Sequence, residues 1–348
     1  METKLKGIIK VLVVEDSSIM CKVLTNILNS DPQILVVGTA YSGRDAVNIV
    51  SGLKPDIITM DMHMPVMDGL EATKQIMAYN PTPILLISTS DEKLETIKIF
   101  EAISYGALDV VEKSNSDIDE HIKFGNELVE KVKFYSSIEV IHHPLAKLEK
   151  PVKPLEMPKK ATLGDKIVAI VASTGGPQAL LIILKSLPKD FPCGIVIVQH
   201  ITPGFMDGLA EWLSRECKIE VKIAQDSEEI LPSVVYIAPS GFQTRVEEGG
   251  RIHLSDEGPR DGHRPSGDIL FESVARVYKK GAIGVILTGM GKDGAFGIRS
   301  VKHMHGHTIA QDEKSSVIFG MPKVAIEMGA VDKVLPIEKI AEEIVRML

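Results

Sequence analysis

Short apolar runs, separated by longer amphipathic stretches, recur along nearly the whole chain. This alternation restricts the fold to parallel sheets whose strands are joined through helices, because such runs are buried on both faces only when helices cover both sides of the sheet. The first half carries them at Ile8–Val14, Ile34–Val37, Ile57–Met60, Ile84–Ser88 and Val110–Glu112. Strands alternating with helices in this way describe a doubly wound sheet, which binds ligands beyond the carboxyl ends of its strands. From 136 to 163 the rhythm dissolves into a Lys- and Pro-rich stretch with Pro144, Pro151, Pro154 and Pro158, which reads as a semi-extended linker. A second α/β rhythm starts at Lys166–Val171 and returns at Gly194–Gln199, Val234–Ala238, Ile283–Thr288 and Thr308–Gln311. The segment Phe242–Leu254, with its Glu248-Gly249-Gly250 turn, adds an antiparallel hairpin to a mostly parallel sheet. The expected division is therefore a domain over 1–135, a linker over 136–163 and a second domain over 164–348.

A length of 348 residues suits two domains at about 150 residues each. The formal net charge of −8 argues against a broad electrostatic grip on nucleic acid, which needs clustered Lys and Arg. Three cysteines, Cys21, Cys193 and Cys217, are too few and too scattered for a disulfide framework or a zinc site, which favours a reducing compartment. Lys4, Lys6 and Lys10 precede an apolar stretch that breaks at Glu15–Asp16, so the N-terminus reads as a first strand rather than a signal peptide. No run approaches the roughly 20 apolar residues needed to span a bilayer, so a cytoplasmic location without direct membrane insertion is expected.

In the first half, Asp61 follows the run Ile57–Met60 and Glu15–Asp16 follow the first run. The topology brings these carboxylates to one sheet edge, where their repulsion calls for a hard cation such as Mg²⁺. Ser88 and Lys113, at the ends of the fourth and fifth runs, add a hydroxyl and a fixed cation to that edge. A carboxylate, a metal, a hydroxyl and an ammonium around one point suit phosphoryl transfer to Asp61. The constellation resembles the receiver domain of bacterial response regulators over about residues 8–130, with Asp61-Met62-His63-Met64-Pro65-Val66-Met67-Asp68-Gly69 carrying most of the likeness. The resemblance implies a (βα)5, flavodoxin-like receiver. Ser114 and Val110 depart from it, standing where the family usually has a proline and an aromatic residue.

In the second half, Ser173 lies in Ala172-Ser173-Thr174-Gly175-Gly176-Pro177, between a strand and an apolar helix. A serine on such a turn sits at a helix N-terminus, which favours developing negative charge; the same motif also suits an N-cap or a phosphate loop. His200 ends the next strand, and Asp293 follows the strand Ile283–Thr288. With Ser173 attacking, His200 as general base and Asp293 orienting the imidazole, the three supply an acyl-transfer triad. The order Ser, His, Asp, and Val171 at the first glycine position of a G-x-S-x-G elbow, separate this chain from lipase-like esterases.

This half resembles the chemotaxis protein-glutamate methylesterases, the CheB family, over residues 164–348. The matching segments are Ala172–Pro177, Gln199–Phe205, Tyr236–Pro239, Arg264-Pro265-Ser266, Leu287–Gly297, Ala310–Glu313 and Phe319–Pro322. The resemblance implies that Ser173, His200 and Asp293 are catalytic and that the backbone amide of Met290 donates to an oxyanion. It further implies that Thr174 assists the nucleophile or the oxyanion and that Arg264 lines the substrate cleft. The family usually has glycine where this chain has Val171. Implied partners are methyl-accepting chemoreceptors as substrate and a chemotaxis histidine kinase as phosphodonor; Mg²⁺ serves the receiver, and the esterase needs no cofactor.

Two rival readings come from other classes. Gly289-Met290-Gly291-Lys292-Asp293-Gly294, with Asp312 downstream, also satisfies the dinucleotide fingerprint and would make the second half a nucleotide-binding, non-hydrolytic output domain. That fingerprint normally opens its domain, and it leaves Ser173 and His200 without a task. A DNA-binding output needs a basic recognition helix, which the second half lacks. His303, His305 and His307 lack common zinc spacing and read as solvated residues near a helix end, and His142–His143 fall in the linker.

Overall fold

A computed structural model describes residues 7–89, 93–113, 118–138, 140, 155 and 166–348. The chain forms two compact units that divide between residues 150 and 151. Most of the expected linker, at 139, 141–154 and 156–163, lies outside the described residues, and His142 and His143 with it, as does Ser114.

In the first unit the strands β1 (Ile9–Val14), β2 (Ile34–Ala40), β3 (Ile57–Asp61), β4 (Ile84–Ser88) and β5 (Asp109–Glu112) alternate with helices α1 (Ser18–Asn29), α2 (Gly43–Leu53), α3 (Gly69–Tyr79), α4 (Lys93–Ser104) and α5 (Ile118–Tyr135). The sheet order is β2-β1-β3-β4-β5, and every pairing is parallel. Both β3 and β4 are buried along their whole length, as helices on both faces require. Ser17, Ser42 and Asp68 cap the first three helices by accepting the N–H groups of Met20, Asp45 and Glu71. Strand order reverses at β1, so the β1–β3 crevice is the switch point where such sheets bind ligands.

The second unit contains β6 (Ile167–Ala172), α6 (Gly176–Ser186), β7 (Gly194–Gln199), α7 (Met206–Glu216), β8 (Glu220–Ile223), β9 (Val234–Ile237), β10 (Gln243–Glu247), β11 (Arg251–Ser255), α8 (Gly267–Tyr278), β12 (Ala282–Ile286), α9 (Ala295–His303), β13 (His307–Gln311), α10 (Met321–Glu327), β14 (Lys333–Leu335) and α11 (Ile337–Arg346). Its sheet has the order β14-β13-β12-β6-β7-β9-β8 and is parallel throughout. The hairpin β10–β11 stands apart as a two-stranded antiparallel sheet rather than joining it. Val246 and Ile252 of the hairpin bury with Leu270 and Val274 of α8, and the Val246 N–H donates to the Ser273 hydroxyl at 3.0 Å. Here the strands that follow β6 in the chain lie on one side of it, in the spatial order β7, β9 and β8, and the later β12, β13 and β14 lie on the other. The switch point therefore lies at β6–β12.

The α/β architecture expected from the apolar runs is borne out in both units, while β8 and β14 were not expected. Each is short and carries charged, partly exposed residues at a sheet edge, so neither produces an apolar run. His303, His305 and His307 are exposed around the end of α9. No described helix is long and apolar enough to cross a membrane.

Candidate active site

Ser173 follows β6 and His200 follows β7, two parallel neighbours whose register pairs Ala172 with Gln199. The two residues therefore leave the sheet side by side. The His200 N–H donates to the Ala172 carbonyl at 3.0 Å, and the Gln199 amide donates to the carbonyls of both Ser173 and His200 at 2.8 Å. Gln199, which the sequence reading gave no role, thus ties the two backbones together. The turn around Ser173 is closed by the Gly176 N–H to the Ser173 carbonyl at 2.7 Å, and by the Ser173 N–H to the Thr288 carbonyl at 3.0 Å. Glycine is required at 176 because a Cβ there would lie 2.0 Å from Oε1 of Gln199. Half-buried Ser173 then stands immediately before α6, near the positive end of that helix.

Asp293 precedes α9 and reaches back to His200, with its Oδ2 2.9 Å from Nε2 of the imidazole. The contact is close, but Nε2 is not aligned for a hydrogen bond with that carboxylate. The carboxylate is 2% exposed and sits at the N-terminus of α8. There the Ser266 hydroxyl donates to Oδ1 at 2.7 Å, the Gly267 N–H to Oδ2 at 2.6 Å and the Asp268 N–H to Oδ1 at 3.2 Å. Burial alone would raise this carboxyl, but the His200 imidazole, the Gly267 N–H and the Ser266 hydroxyl together hold it down to about 2. Nε2 is the His200 nitrogen turned to Asp293, which leaves Nδ1 for a different partner. Nδ1 is buried without a hydrogen-bond partner among the described residues.

Met290 is exposed on the turn after Thr288 and is flanked by Gly289, whose N–H is committed to the Ile318 carbonyl. Thr174 is half-buried, and its carbonyl accepts the Thr288 hydroxyl at 2.9 Å. Arg264 is exposed and donates to the Asp256 and Glu257 carbonyls at 3.2 and 3.5 Å. Val171 packs under the N-terminus of α8, where a Cβ on Gly267 would come within 2.4 Å of its Cγ1. His263 stacks on His200, a neighbour that no sequence spacing announces. Asp312, the acidic residue that the dinucleotide fingerprint needs, is occupied internally by the N–H and hydroxyl of Ser315.

The first unit gathers a second constellation beyond the ends of β1, β3, β4 and β5. Glu15 and Asp61 are 2% and 3% exposed, and Lys113 bridges them with its Nζ 3.0 Å from Glu15 Oε2 and 2.9 Å from Asp61 Oδ1. Burial would favour neutral Lys113, but Asp61 and then Glu15 outweigh it and keep the ammonium charged. Burial and the neighbouring Asp61 push the Glu15 carboxyl up despite Lys113, so one ammonium leaves negative charge uncompensated there. Asp16 is exposed, yet one oxygen from each of Glu15, Asp16 and Asp61 falls within 4.8 Å of the others. Oxygen donors of this charge and spacing fit a hard divalent cation. The Ser88 hydroxyl, 2% exposed, has no partner among the described residues. Gly69 lets its loop close over the site, since a Cβ there would lie 2.3 Å from the Asp61 carbonyl oxygen. Val110, at the position where receivers usually carry an aromatic residue, is buried within β5.

Together these sites define a class: an α/β receiver followed by an α/β unit carrying a hydrolase-type Ser, His and Asp at its topological switch point. Residues 11–123 match the response regulator receiver domain family and residues 168–344 the CheB methylesterase family. The chain belongs to the CheB methylesterase family. It is 44% identical over 344 residues to the protein-glutamate methylesterase/protein-glutamine glutaminase of Halalkalibacterium halodurans, covering 97% of this chain and 98% of that one. The protein of the same description from Pyrococcus abyssi is 41% identical over 97% of this chain and 93% of its own. The crystal structure of the Thermotoga maritima CheB methylesterase catalytic domain matches with a TM-score of 0.52 and 43% identity, covering 53% of this chain and all of that one.

Proposed function

We propose that this chain is a phosphorylation-regulated hydrolase that demethylates glutamate methyl esters on chemoreceptors and deamidates receptor glutamines, with Ser173, His200 and Asp293 as its catalytic residues. The observation that carries the site assignment is the 2.9 Å approach of His200 to a carboxylate held ionised, on a strand end tied to that of Ser173 by one glutamine amide. In this reading the Ser173 hydroxyl gives its proton to Nδ1 of His200 while its oxygen bonds to the ester carbonyl carbon. His200 then passes the proton to the departing methoxide, methanol leaves, and the acyl group remains on Ser173. Water, deprotonated by the same imidazole, releases the carboxylate and restores the serine. With a glutamine amide the leaving group is ammonia and the remaining steps are the same. Asp293 offsets the imidazolium charge, the N–H of Met290 faces the developing oxyanion, Thr174 assists beside it, and Arg264 borders the substrate.

Residues 1–135 form the receiver, 136–163 the linker and 164–348 the catalytic domain. Receiver phosphorylation depends on a divalent metal, and Mg²⁺ is the ion proposed for Glu15, Asp16 and Asp61. When bound, that ion neutralises charge on the phosphoryl oxygens. Asp61 accepts the phosphoryl group from a chemotaxis histidine kinase, Lys113 pairs with the developing charge, and the Ser88 hydroxyl engages the new phosphoryl oxygens. The esterase works without a cofactor and in the cytoplasm. The test is methanol release from a methylated chemoreceptor by the full chain, with and without a small phosphodonor and Mg²⁺. Release that the phosphodonor stimulates is expected; no release under either condition contradicts the proposal.

A further inference from the structure

The ring of His263 lies flat against that of His200, with centroids 4.2 Å apart and planes 16° apart. It comes from the loop between β11 and α8, and that loop does not depend on its imidazole. The backbones of Arg260 and His263 exchange hydrogen bonds of 3.0 and 2.9 Å, and the Gln243 side chain donates to the His263 carbonyl at 3.1 Å. Asp261, Gly262 and Arg264 around it are exposed, whereas His263 is half-buried. Side-chain atoms of His200, His263 and Asp293 fall within 4.8 Å of one another. Two parallel stacked rings are poorly disposed to aim their nitrogen lone pairs at one metal ion, so the geometry suits packing rather than ligation.

We propose that His263 is a positioning residue for the hydrolytic reaction, its flat ring fixing the plane of His200 so that Nε2 stays on Asp293 and Nδ1 stays available to Ser173. This inference rests on the hydrolase reading above. The role requires a ring that is uncharged while it acts. His200 becomes an imidazolium when it holds the serine proton, and a second cation 4.2 Å away would repel it and compete for Asp293. Burial, and then His200, push the His263 imidazole below its ordinary value, against the pull of Asp293 and Asp261. Those are the groups that act on it from the end of β7, the loop before α9 and its own loop. Neutral His263 also keeps water from one face of the base.

The test compares His263→Ala with His263→Phe in the full chain, with a small phosphodonor and Mg²⁺ present, by methanol release from a methylated chemoreceptor. His263→Ala should lower kcat by about tenfold or more, the scale on which misplacement of a reacting group is felt, and leave KM nearly unchanged. His263→Phe should recover most of kcat, since it restores the plate without a titratable nitrogen. Three results would each overturn the proposal: His263→Ala within about twofold of the parent kcat, a loss confined to KM, or His263→Phe as slow as His263→Ala. Thermal melts by circular dichroism show that the variants are folded, and the loop's own backbone bonds lead us to expect that. Ser173→Ala run in parallel keeps the two readings apart. Turnover surviving in it brings down the hydrolase site, whereas a silent Ser173→Ala beside an unaffected His263→Ala brings down only the role of His263.

Discussion

An isolated carboxylate as buried as Asp293 would take up a proton, and it stays an anion because His200, Gly267 and Ser266 favour the charged form. Its value near 2 lies below that of an unfolded aspartate, so it contributes stability above the unfolded carboxylate range that is lost as pH falls toward 2. The difference is worth about 2 kcal/mol at neutral pH. Asp293→Asn should therefore lower the urea midpoint at pH 7 and flatten the dependence of stability on pH between about 5 and 2. Equal loss of stability at pH 7 and at pH 3 would contradict this. Ser266→Ala removes one donor to the buried anion and should cost about 1.5–3 kcal/mol in the same assay. Ser173, His200 and Asp293 were legible in the sequence because each directly follows an apolar run or its turn, where a doubly wound sheet collects its ligands. Gln199 and Ser266 lay within segments that carried the family likeness, but their tasks depend on contacts between separate elements. His263 gave no signal, because stacking between two loops leaves no spacing to read.

The packing of β6 against α8 has its own logic. Val171 fills the space that Gly267 leaves, and Gly267 is the residue whose N–H holds Oδ2 of Asp293. Gly267→Ala places a methyl group into Val171 and should destabilise the protein by about 1–3 kcal/mol, the usual cost of overpacking. In a Val171→Gly background the same substitution should cost much less. A double-mutant cycle of urea unfolding measures that coupling, and strict additivity would mean the two sites do not share the space. Continuous apolar runs made β6 and β7 readable, whereas β8 and β14 are edge strands with partly exposed charged residues and were missed. The hairpin was legible as a hairpin. Its separation from the main sheet was not, because that depends on α8 covering Val246 and Ile252.

The molecule repeats one device in its two units: polar side chains gathered beyond the carboxyl ends of a parallel sheet, mainly carboxylates in the first and a serine, a histidine and an aspartate in the second. Phosphorylation of Asp61 would add roughly −1.5 to −2 charges to a site where burial already leaves Glu15 hard to ionise. Asp61→Asn should therefore abolish stimulation of methanol release by a small phosphodonor with Mg²⁺ while leaving unstimulated turnover in place. Undiminished stimulation would mean that the signal enters elsewhere. The most direct measurement is the rate of methanol release from a methylated chemoreceptor by the full chain carrying Ser173→Ala, with the phosphodonor present. A fall of several orders of magnitude is expected, since a triad lacking one member retains only about 10³–10⁴-fold catalysis over water. A fall of less than about tenfold would contradict the assignment of Ser173 as the nucleophile.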